Sequence, residues 1–453
     1  MNKIELCRKF NNLTLESEDH WDYRGKSNSQ RDYVHGFCTY PAMMVPKMQR
    51  EILDVCLQVV SESKRTLIDP FAGSGTILVE GMLRGLDIVG VDVNPLAVLL
   101  CKAKTTIVKP SDLKIKAQQL IDRINENKGI TNHQFDGIDK WFTERAIMDL
   151  SRIRASIMQE SNIKFRRFFW ATFCEIVRSV SNSRDCTYKL HIKEKSDIDD
   201  YDKDALQLFE NTLLFNIGKY IEFYNILDER NFLGERGVSY NGKVQIVCDD
   251  SIKYLSRTRK NFDLIITSPP YGDNHTTVTY GQYSILPLRW IDYRDIDSCV
   301  DEIMLSTQCE IDKESLGGIS SKRSMTNGRL QVVDKSEVLR KQKQDIDTIA
   351  PTQTNKMIAF YSDFDQFLEV ISKRMNPEAI SVWTLGNRKI AKKEIFMDRI
   401  MMDLAKHYHM DFVTSFTRNI THKRMPEMNG YSGKNKGLQS TMTREHIQVY
   451  VRS

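Results

Sequence analysis

The feature that most constrains the fold is an apolar run, residues 262–266 (FDLII), that ends in the pentapeptide TSPPY. Two consecutive prolines, Pro269 and Pro270, fix two backbone φ angles and lack N–H donors, so a strand must end there. The loop that follows presents the Ser268 hydroxyl, free carbonyl oxygens and the ring of Tyr271. Such a loop suits a flat heterocycle whose exocyclic amine donates to Ser268 and the Pro269 carbonyl while its ring stacks on Tyr271. The alternative interpretation is a proline-rich turn that only closes a strand.

A second motif has the same arrangement of strand and loop, at residues 66–76 (TLIDPFAGSGT). It predicts a short strand, a glycine-rich turn and the start of a helix. Gly73 and Gly75 allow positive φ angles and a close approach of backbone to ligand, and the helix N-terminus favours a negative group such as a carboxylate. A dinucleotide-binding fold also uses such a turn, but Leu78 replaces the third glycine of that fingerprint. A P-loop is excluded because no Gly-Lys-Ser/Thr follows.

Both motifs resemble those of the amino-methylating DNA methyltransferases. The sequence DPFAGSGT is similar to the cofactor loop of that family, and TSPPY is similar to the catalytic motif of its cytosine-N4 branch. The adenine-N6 branch more often has Asp or Asn in place of Ser268. The resemblance implies direct methyl transfer from S-adenosylmethionine to the N4 of a flipped-out cytosine, with Ser268, Pro269, Pro270 and Tyr271 as catalytic residues. It also implies cofactor contacts from the loop residues Asp69, Phe71, Gly73, Gly75 and Thr76.

Further cofactor contacts are expected outside the glycine loop. The second predicted strand ends at Asp92, whose carboxylate can accept both ribose hydroxyls of a nucleoside-containing cofactor. In the family, an acidic residue after the third strand receives the adenine amino group; Asp250 aligns best, and Asp249 remains open. Upstream, Tyr40 and Pro41 lie in a segment similar to the one that closes over the methionine end of the cofactor in this family.

Strands and helices alternate along the chain, which predicts an α/β fold with a parallel sheet wrapped by helices. The resemblance implies a Rossmann-like S-adenosylmethionine-dependent methyltransferase sheet of seven strands, one of them antiparallel, with helices on both faces and two insertions. We predict a catalytic domain formed by residues 30–110, 243–290 and 356–453. The first insertion, 111–242, is expected to be mainly helical, and the second, 291–355, is the candidate target-recognition region. Which insertion contacts DNA stays open.

Four basic stretches bear on nucleic-acid binding. One of them, residues 418–426 (RNITHKRMP), resembles a segment of the family and predicts an exposed basic turn suited to phosphates, with a merely solvated charge run as the alternative. Residues 164–170 (KFRRFFW) mix arginines with aromatics, and the favoured interpretation is a helix whose aromatics lie in the core. The clusters at 320–323 (SSKR) and 340–343 (RKQK) in the second insertion suit phosphate contacts. The formal net charge is only +5, so the overall charge gives weak support for nucleic-acid binding. The argument for such binding depends on local clusters of basic residues.

Composition excludes several other classes. With 41% hydrophobic and 28% charged residues, the chain is an ordinary globular protein. Nine cysteines show no Cys-x-x-Cys spacing, which argues for reduced thiols and against a zinc site, so we expect no metal. We find no signal peptide and no apolar run near twenty residues, so we expect no membrane contact and a cytoplasmic location.

The resemblance implies double-stranded DNA as partner and a restriction endonuclease as a functional partner. Three alternatives stay open: adenine-N6 methylation of DNA, methylation of a guanine amine in structured RNA, and a non-catalytic DNA-binding protein on this scaffold. The lack of a Pro-Cys pair argues against the cytosine-C5 mechanism.

Overall fold

The computed structural model describes residues 3–14, 21, 31–63, 65–127, 129–184, 187–199, 203–272, 278–318, 327–420, 428–430, 438–440 and 442–453. The strands in chain order are β1 (Thr66–Asp69), β2 (Asp87–Asp92), β3 (Val244–Cys248), β4 (Phe262–Thr267), β5 (Met375–Gly386), β6 (Arg388–Ile390), β7 (Lys393–Ile395), β8 (Met410–Asn419), β9 (Met428–Gly430), β10 (Leu438–Ser440) and β11 (Arg444–Arg452).

The helices surround these strands. In chain order they are α1 (Lys3–Thr14), α2 (Pro46–Leu57), α3 (Thr76–Met82), α4 (Pro95–Thr105), α5 (Pro110–Glu126), α6 (Ile138–Trp141), α7 (Glu144–Met158), α8 (Ile163–Ser179), α9 (Lys195–Asp199), α10 (Ala205–Glu229), α11 (Ser251–Arg257), α12 (Tyr280–Trp290), α13 (Glu310–Lys313), α14 (Asn327–Lys335), α15 (Glu337–Asp347), α16 (Pro351–Ser372) and α17 (Met397–Lys406), with 3₁₀ turns at Tyr33–Gly36 and Tyr293–Asp295.

Seven strands form one sheet in the order β3-β2-β1-β4-β5-β11-β8. Neighbours from β3 to β5 pair in parallel, whereas β11 runs antiparallel to both β5 and β8. This is the predicted seven-stranded methyltransferase sheet with one antiparallel member, so the predicted fold class is confirmed. Because β1, β2 and β4 run in the same direction, their carboxyl ends place Asp69, Asp92 and Thr267 at one edge of the sheet.

The central strands are buried on both faces because helices cover both sides of the sheet. All six residues of β4 are buried. Alternate side chains enter opposite cores: Leu264 and Ile266 join the cluster that contains α4 and α8, while Ile265 joins the cluster that contains α16 and α17. Phe262 also joins the second cluster, because the register shifts between Phe262 and Leu264. A parallel strand covered on both faces has no polar side, which explains the continuous apolar run in the sequence.

The segment between β2 and β3 is helical, with α5 to α10. Its helix α8 packs against α4 and α12 and buries the aromatics of residues 164–170, so the core interpretation of that stretch is confirmed. The Arg166 side chain pairs with the Asp295 carboxylate at 2.6 Å, and Arg167 Nε donates to the Asp295 carbonyl at 2.7 Å. Both arginines therefore hold the turn after α12.

The segment between α12 and α16 contains α13, α14 and α15. Helix α15 packs on α16 and α17 and carries the basic cluster 340–343. Two lysines of that cluster form ion pairs along the helix, Lys341 with Glu337 and Lys343 with Asp347. The cluster at 320–323 lies outside the described residues. In the part of the chain that the structure describes, no helix is long and apolar enough to cross a membrane.

Candidate active site

The glycine loop between β1 and α3 has the backbone that its sequence predicts. Gly73 and Gly75 have φ angles of 49° and 78°, and a Cβ on Gly75 would lie 3.0 Å from the Cys101 sulfur. Two side chains of α4 form hydrogen bonds to carbonyl groups of the loop. Lys104 Nζ donates to the Ser74 carbonyl at 2.8 Å, and the Cys101 thiol donates to the Gly73 carbonyl at 3.3 Å. Burial lowers the pKa of Lys104 to about 8.

Asp69 lies behind this loop and connects it to the proline loop. Its Oδ1 accepts from the Phe71 amide at 3.1 Å and from the Thr267 hydroxyl at 2.6 Å. Its Oδ2 is buried, with no hydrogen-bond partner among the described residues. Burial raises the pKa of Asp69 to about 7, although both hydrogen bonds oppose that shift.

Asp92 at the end of β2 faces the same loop. Its Oδ2 accepts from the Gly73 amide and its Oδ1 from the Asn94 amide, both at 2.8 Å. Burial raises the pKa of Asp92 to about 6. The helix cap is supplied by Asn94, whose Oδ1 accepts from the Leu96 amide. Asp92 is thus not the N-cap of α4, and each of its oxygens keeps a lone pair for a further donor.

The Tyr40–Pro41 segment lines the cavity described below, next to Asn94. The Tyr40 hydroxyl accepts from Asn94 Nδ2 at 2.9 Å, and its ring stacks on Tyr280 with centroids 5.8 Å apart. The preceding Thr39 is fixed from α8, where the Glu175 carboxylate accepts from its amide at 2.8 Å. A helix of the first insertion therefore positions this predicted cofactor segment.

At the end of β3 the two candidate acidic residues have different surroundings. Asp250 Oδ1 accepts from the Lys253 amide at 2.8 Å, so Asp250 caps α11, and burial raises its pKa. Asp249 forms an ion pair with Arg257 and its Oδ1 accepts from the Asp250 amide. Asp250 lines the cavity described next, and Asp249 is not among the residues that line it.

These elements line an open cavity of about 840 Å³, a volume that includes the solvent space at its mouth. Nine of the thirteen predicted site residues line it: Tyr40, Pro41, Phe71, Gly73, Thr76, Asp92, Asp250, Ser268 and Pro270. The other four, Asp69, Gly75, Pro269 and Tyr271, do not line it. The structure thus brings residues of both motifs, 195 positions apart at Gly73 and Ser268, to one cavity.

Tyr271 lies beside the cavity and packs on β5. A Cβ on Gly386 would lie 2.4 Å from its ring, so the ring covers the bare Cα of that glycine. Its hydroxyl lies 3.1 Å from Ser268 Oγ and donates to Glu445 Oε1 at 3.1 Å. Arg418 Nε donates to the other Glu445 oxygen at 2.7 Å. Burial first, and then the Glu445 charge, raise the pKa of Tyr271 well above its ordinary value.

Arg418 lies on β8 with its side chain 9% exposed, so the prediction of an exposed basic turn at residues 418–426 is wrong at this residue, because pairing with β11 draws it into the sheet. Residues 421–426 of that stretch lie outside the described residues.

The sequence did not indicate several residues that line the cavity. Tyr280 belongs to α12, and four more lie in the stretch 291–355 that we predict to be the second insertion: Ile311, Glu314, Ser315 and Leu316. The glycine pair that follows Leu316 could have indicated that this segment packs closely on another part of the chain. Gly317 has a φ of 73°, and a Cβ at this position would lie 3.0 Å from the Phe360 backbone. Part of the insertion predicted to recognise DNA therefore closes this cavity.

Comparisons with known proteins identify the family. The family model "RMKL-like, methyltransferase domain" matches residues 37–145. The type II methyltransferase M.MvaI of Kocuria varians is 33% identical over 446 residues, which cover 96% of this chain and 95% of that protein. The chain belongs to the type II methyltransferase family. A second type II methyltransferase, M.MjaII of Methanocaldococcus jannaschii, is 28% identical over 119 residues, 26% of this chain and 21% of that protein.

Among solved structures, the rRNA methyltransferase aviRa of Streptomyces viridochromogenes aligns with this type II methyltransferase over 94% of the chain and 96% of its own length. The TM-score is 0.32 and the identity 11%, a likeness that carries no argument about function.

The cavity of this type II methyltransferase has the chemistry that S-adenosylmethionine requires, and the family implies that cofactor as methyl donor. Ser74 Oγ lines the cavity, buried and without a hydrogen-bond partner among the described residues, so it is available to an acceptor such as a carboxylate. Asp92 and Asp250 supply acceptors for hydroxyl and amino donors, and Phe71 and Leu316 supply apolar contacts for a flat ring. Over the described ranges, no group of three or more His, Cys, Asp or Glu could hold a metal ion.

Proposed function

We propose that this type II methyltransferase transfers the methyl group of S-adenosylmethionine to the exocyclic N4 of a cytosine in double-stranded DNA, as the modification enzyme of a restriction–modification system. One observation carries the proposal: Ser268 and Pro270 line the same cavity as Gly73 and Asp92. The predicted acceptors for an amine and the predicted cofactor site therefore share one space.

In this proposal the cofactor lies along the glycine loop. Asp92 accepts from the ribose hydroxyls, Asp250 accepts from the adenine amino group, and Tyr40 and Pro41 cover the methionine end. Phe71, Gly73 and Thr76 line the cofactor site. Asp69 acts from behind the loop, through the Phe71 amide and Thr267. When bound, S-adenosylmethionine supplies an activated sulfonium methyl group.

The protein supplies proximity and alignment, since the methyl group needs no further activation. A cytosine N4 lies inside the base stack of a duplex, so the target base must flip out to enter the cavity. In this proposal N4 donates one proton to Ser268 Oγ, which lines the cavity, and the other to the adjoining Pro269 carbonyl, which must come within reach as the base binds because Pro269 does not line the cavity. The two hydrogen bonds draw the nitrogen toward sp³ geometry and expose its lone pair, and N4 releases one proton to solvent as the methyl group is added. Pro270 holds these acceptors in place because its ring fixes the backbone. Tyr271 does not line the cavity, so in this proposal it acts through its hydroxyl, which lies 3.1 Å from Ser268 Oγ, and not by stacking on the base.

Substitution of Ser268 tests the proposal. We expect Ser268→Ala to lower the rate of transfer of a tritiated methyl group to plasmid DNA by roughly 100-fold, on the order of 2.7 kcal/mol in the activation barrier. The affinity for S-adenosylmethionine in calorimetry should stay within a factor of about two, because the cofactor contacts remain.

Ser256→Ala is the matched control, since Ser256 lies on the exposed side of α11. Transfer by Ser268→Ala at the rate of the unsubstituted enzyme would refute the proposal. Cofactor binding without any transfer to DNA would instead favour a non-catalytic DNA-binding protein on this scaffold.

A further inference from the structure

A chain of hydrogen bonds connects the antiparallel end of the sheet to the catalytic loop. It begins at Arg418 on β8, passes through Glu445 on β11 and Tyr271, and ends at Ser268, with successive distances of 2.7, 3.1 and 3.1 Å. The three polar side chains before Ser268 lie outside the cavity. The chain therefore reaches Ser268 from the side opposite the predicted substrate.

Strand register holds the first members of the chain in place. Glu445 pairs directly across the sheet with Arg418 on one side and with Gly386 on the other. Since the Tyr271 ring covers Gly386, the tyrosine hydroxyl comes within reach of the Glu445 carboxylate. Arg418 and Glu445 are both largely buried, with side chains 9% and 15% exposed. A buried, hydrogen-bonded charge pair of this kind keeps a defined geometry.

The charges decide which way each hydroxyl points. Glu445 forms an ion pair with Arg418, and a carboxylate can only accept hydrogen bonds. Tyr271 must therefore donate its single proton to Glu445, which leaves its oxygen able only to accept. Ser268 must then donate its own proton to Tyr271. Its two lone pairs remain available to accept, and Ser268 lines the cavity.

We infer that Glu445 is a positioning residue that acts through Tyr271 and makes Ser268 an obligate hydrogen-bond acceptor toward the target base. The inference rests on the proposed function and extends it to substrate selection. A base with an exocyclic amine, which has two N–H donors, matches an acceptor at Ser268. A base with a carbonyl oxygen at that position would place its lone pairs against those of Ser268 Oγ. Neither oxygen would then have a hydrogen-bond donor.

Glu445→Gln separates this role from a merely structural one. Glutamine has the shape of glutamate, so its packing is kept. Its amide oxygen faces Arg418 because the amide NH₂ would be repelled there, and the NH₂ group then faces Tyr271. The tyrosine becomes an acceptor from residue 445 and donates to Ser268, which turns the Ser268 proton toward the cavity.

We expect Glu445→Gln to lower kcat by roughly tenfold or more, with KM for DNA and cofactor affinity changed by less than about threefold. In a Tyr271→Phe background the chain is already broken, so the Glu445→Gln change should have no further effect on kcat. A structural role predicts that the isosteric Glu445→Gln enzyme keeps its activity and that the effects of the two changes add.

A readout independent of methyl transfer distinguishes failure of this inference from failure of the proposed function. Protein labelled with ¹³C at tyrosine Cζ gives a resonance for Tyr271, which Tyr271→Phe assigns by its loss. Glu445→Gln should shift that resonance, because the hydroxyl changes from donor to acceptor. If the unsubstituted protein methylates no DNA, the proposed function fails, and the resonance still decides the hydrogen-bond direction.

The inference is supported by a shifted resonance together with a lowered kcat that does not add to the effect of Tyr271→Phe. An unshifted Tyr271 resonance overturns it, and so does an unchanged kcat for Glu445→Gln. Should Glu445→Gln fail to fold, Tyr271→Phe tests the chain from its other end, and an unchanged kcat for that variant overturns the inference as well.

Discussion

The Thr267 hydroxyl donates a 2.6 Å hydrogen bond to the Asp69 carboxylate, and this contact joins the last residue of β4 to the last residue of β1. Both side chains are fully buried. Because β1 and β4 are adjacent parallel strands, the glycine loop and the proline loop leave the same edge of the sheet and are fixed to each other at their first residues. The position of Ser268 relative to the cofactor site depends on this contact.

The first prediction concerns the charge of Asp69. Burial raises its pKa from 3.8 to about 7, so the folded protein binds this proton more tightly than the unfolded chain does. The contribution of Asp69 to stability is therefore greatest below about pH 4 and falls as the pH rises to about 7. An asparagine side chain at this position does not titrate. We expect the free energy of unfolding of the unsubstituted enzyme, minus that of Asp69→Asn, to decrease between pH 4 and 7 in urea titrations. A difference that is constant or increases with pH would contradict the shift.

The second prediction concerns Asp92 and cofactor binding. Burial raises its pKa to about 6, and only the ionised carboxylate can accept from both ribose hydroxyls. Affinity for S-adenosylmethionine in calorimetry should be constant above that pH and weaken by up to about tenfold for each pH unit below it. Asp92→Ala should weaken binding by about tenfold or more near neutral pH and remove this pH dependence. The same pH dependence in Asp92→Ala would assign it to another group.

The third prediction distinguishes the two acidic residues at the end of β3. Asp250→Asn keeps the cap on α11, since asparagine is an equally good N-cap, but presents an NH₂ group to the adenine amine. We expect it to weaken cofactor binding by about tenfold, because a buried acceptor is replaced by a donor. Asp249→Asn, the neighbouring control, loses the ion pair with Arg257 and should bind the cofactor normally. The reverse order of the two affinities would place the adenine at Asp249.

The fourth prediction concerns the contact between Gly386 and Tyr271. An alanine at 386 would place its Cβ 2.4 Å from the tyrosine ring and 2.3 Å from the Met442 sulfur. The ring must move, and Ser268 moves with it, so we expect Gly386→Ala to lower kcat by about tenfold or more with little change in cofactor affinity. Gly218→Ala on α10, where a Cβ meets nothing within 4 Å, is the control and should keep full activity. Normal turnover by Gly386→Ala would show that the ring position does not matter.

The sheet and the two loops could be predicted from the sequence because the residues that determine them lie close together in the chain. Glycines with positive φ, consecutive prolines and an apolar run buried on both faces act within a few residues. These patterns indicated a strand end at Asp92 and a strand directly before each of the two loops, and the structure brings these strand ends to one edge of the sheet.

Long-range contacts could not be predicted in the same way. Glu445 lies 174 residues from Tyr271, and their contact depends on the register of β11 against β5 and on the bare Cα of Gly386. Glu175 holds Thr39 from a helix of the first insertion, 136 residues away. Neither glutamate belongs to a motif, so only tertiary packing identifies it.

The proposed cytosine-N4 methylation can be measured most directly by nucleoside mass spectrometry of unmethylated plasmid DNA after incubation with the enzyme and S-adenosylmethionine that carries a deuterated methyl group. We expect N4-methyldeoxycytidine with the deuterated mass, formed by the unsubstituted enzyme and lost with Ser268→Ala. N6-methyldeoxyadenosine as the labelled product, or labelled DNA of equal yield from Ser268→Ala, would contradict the proposal.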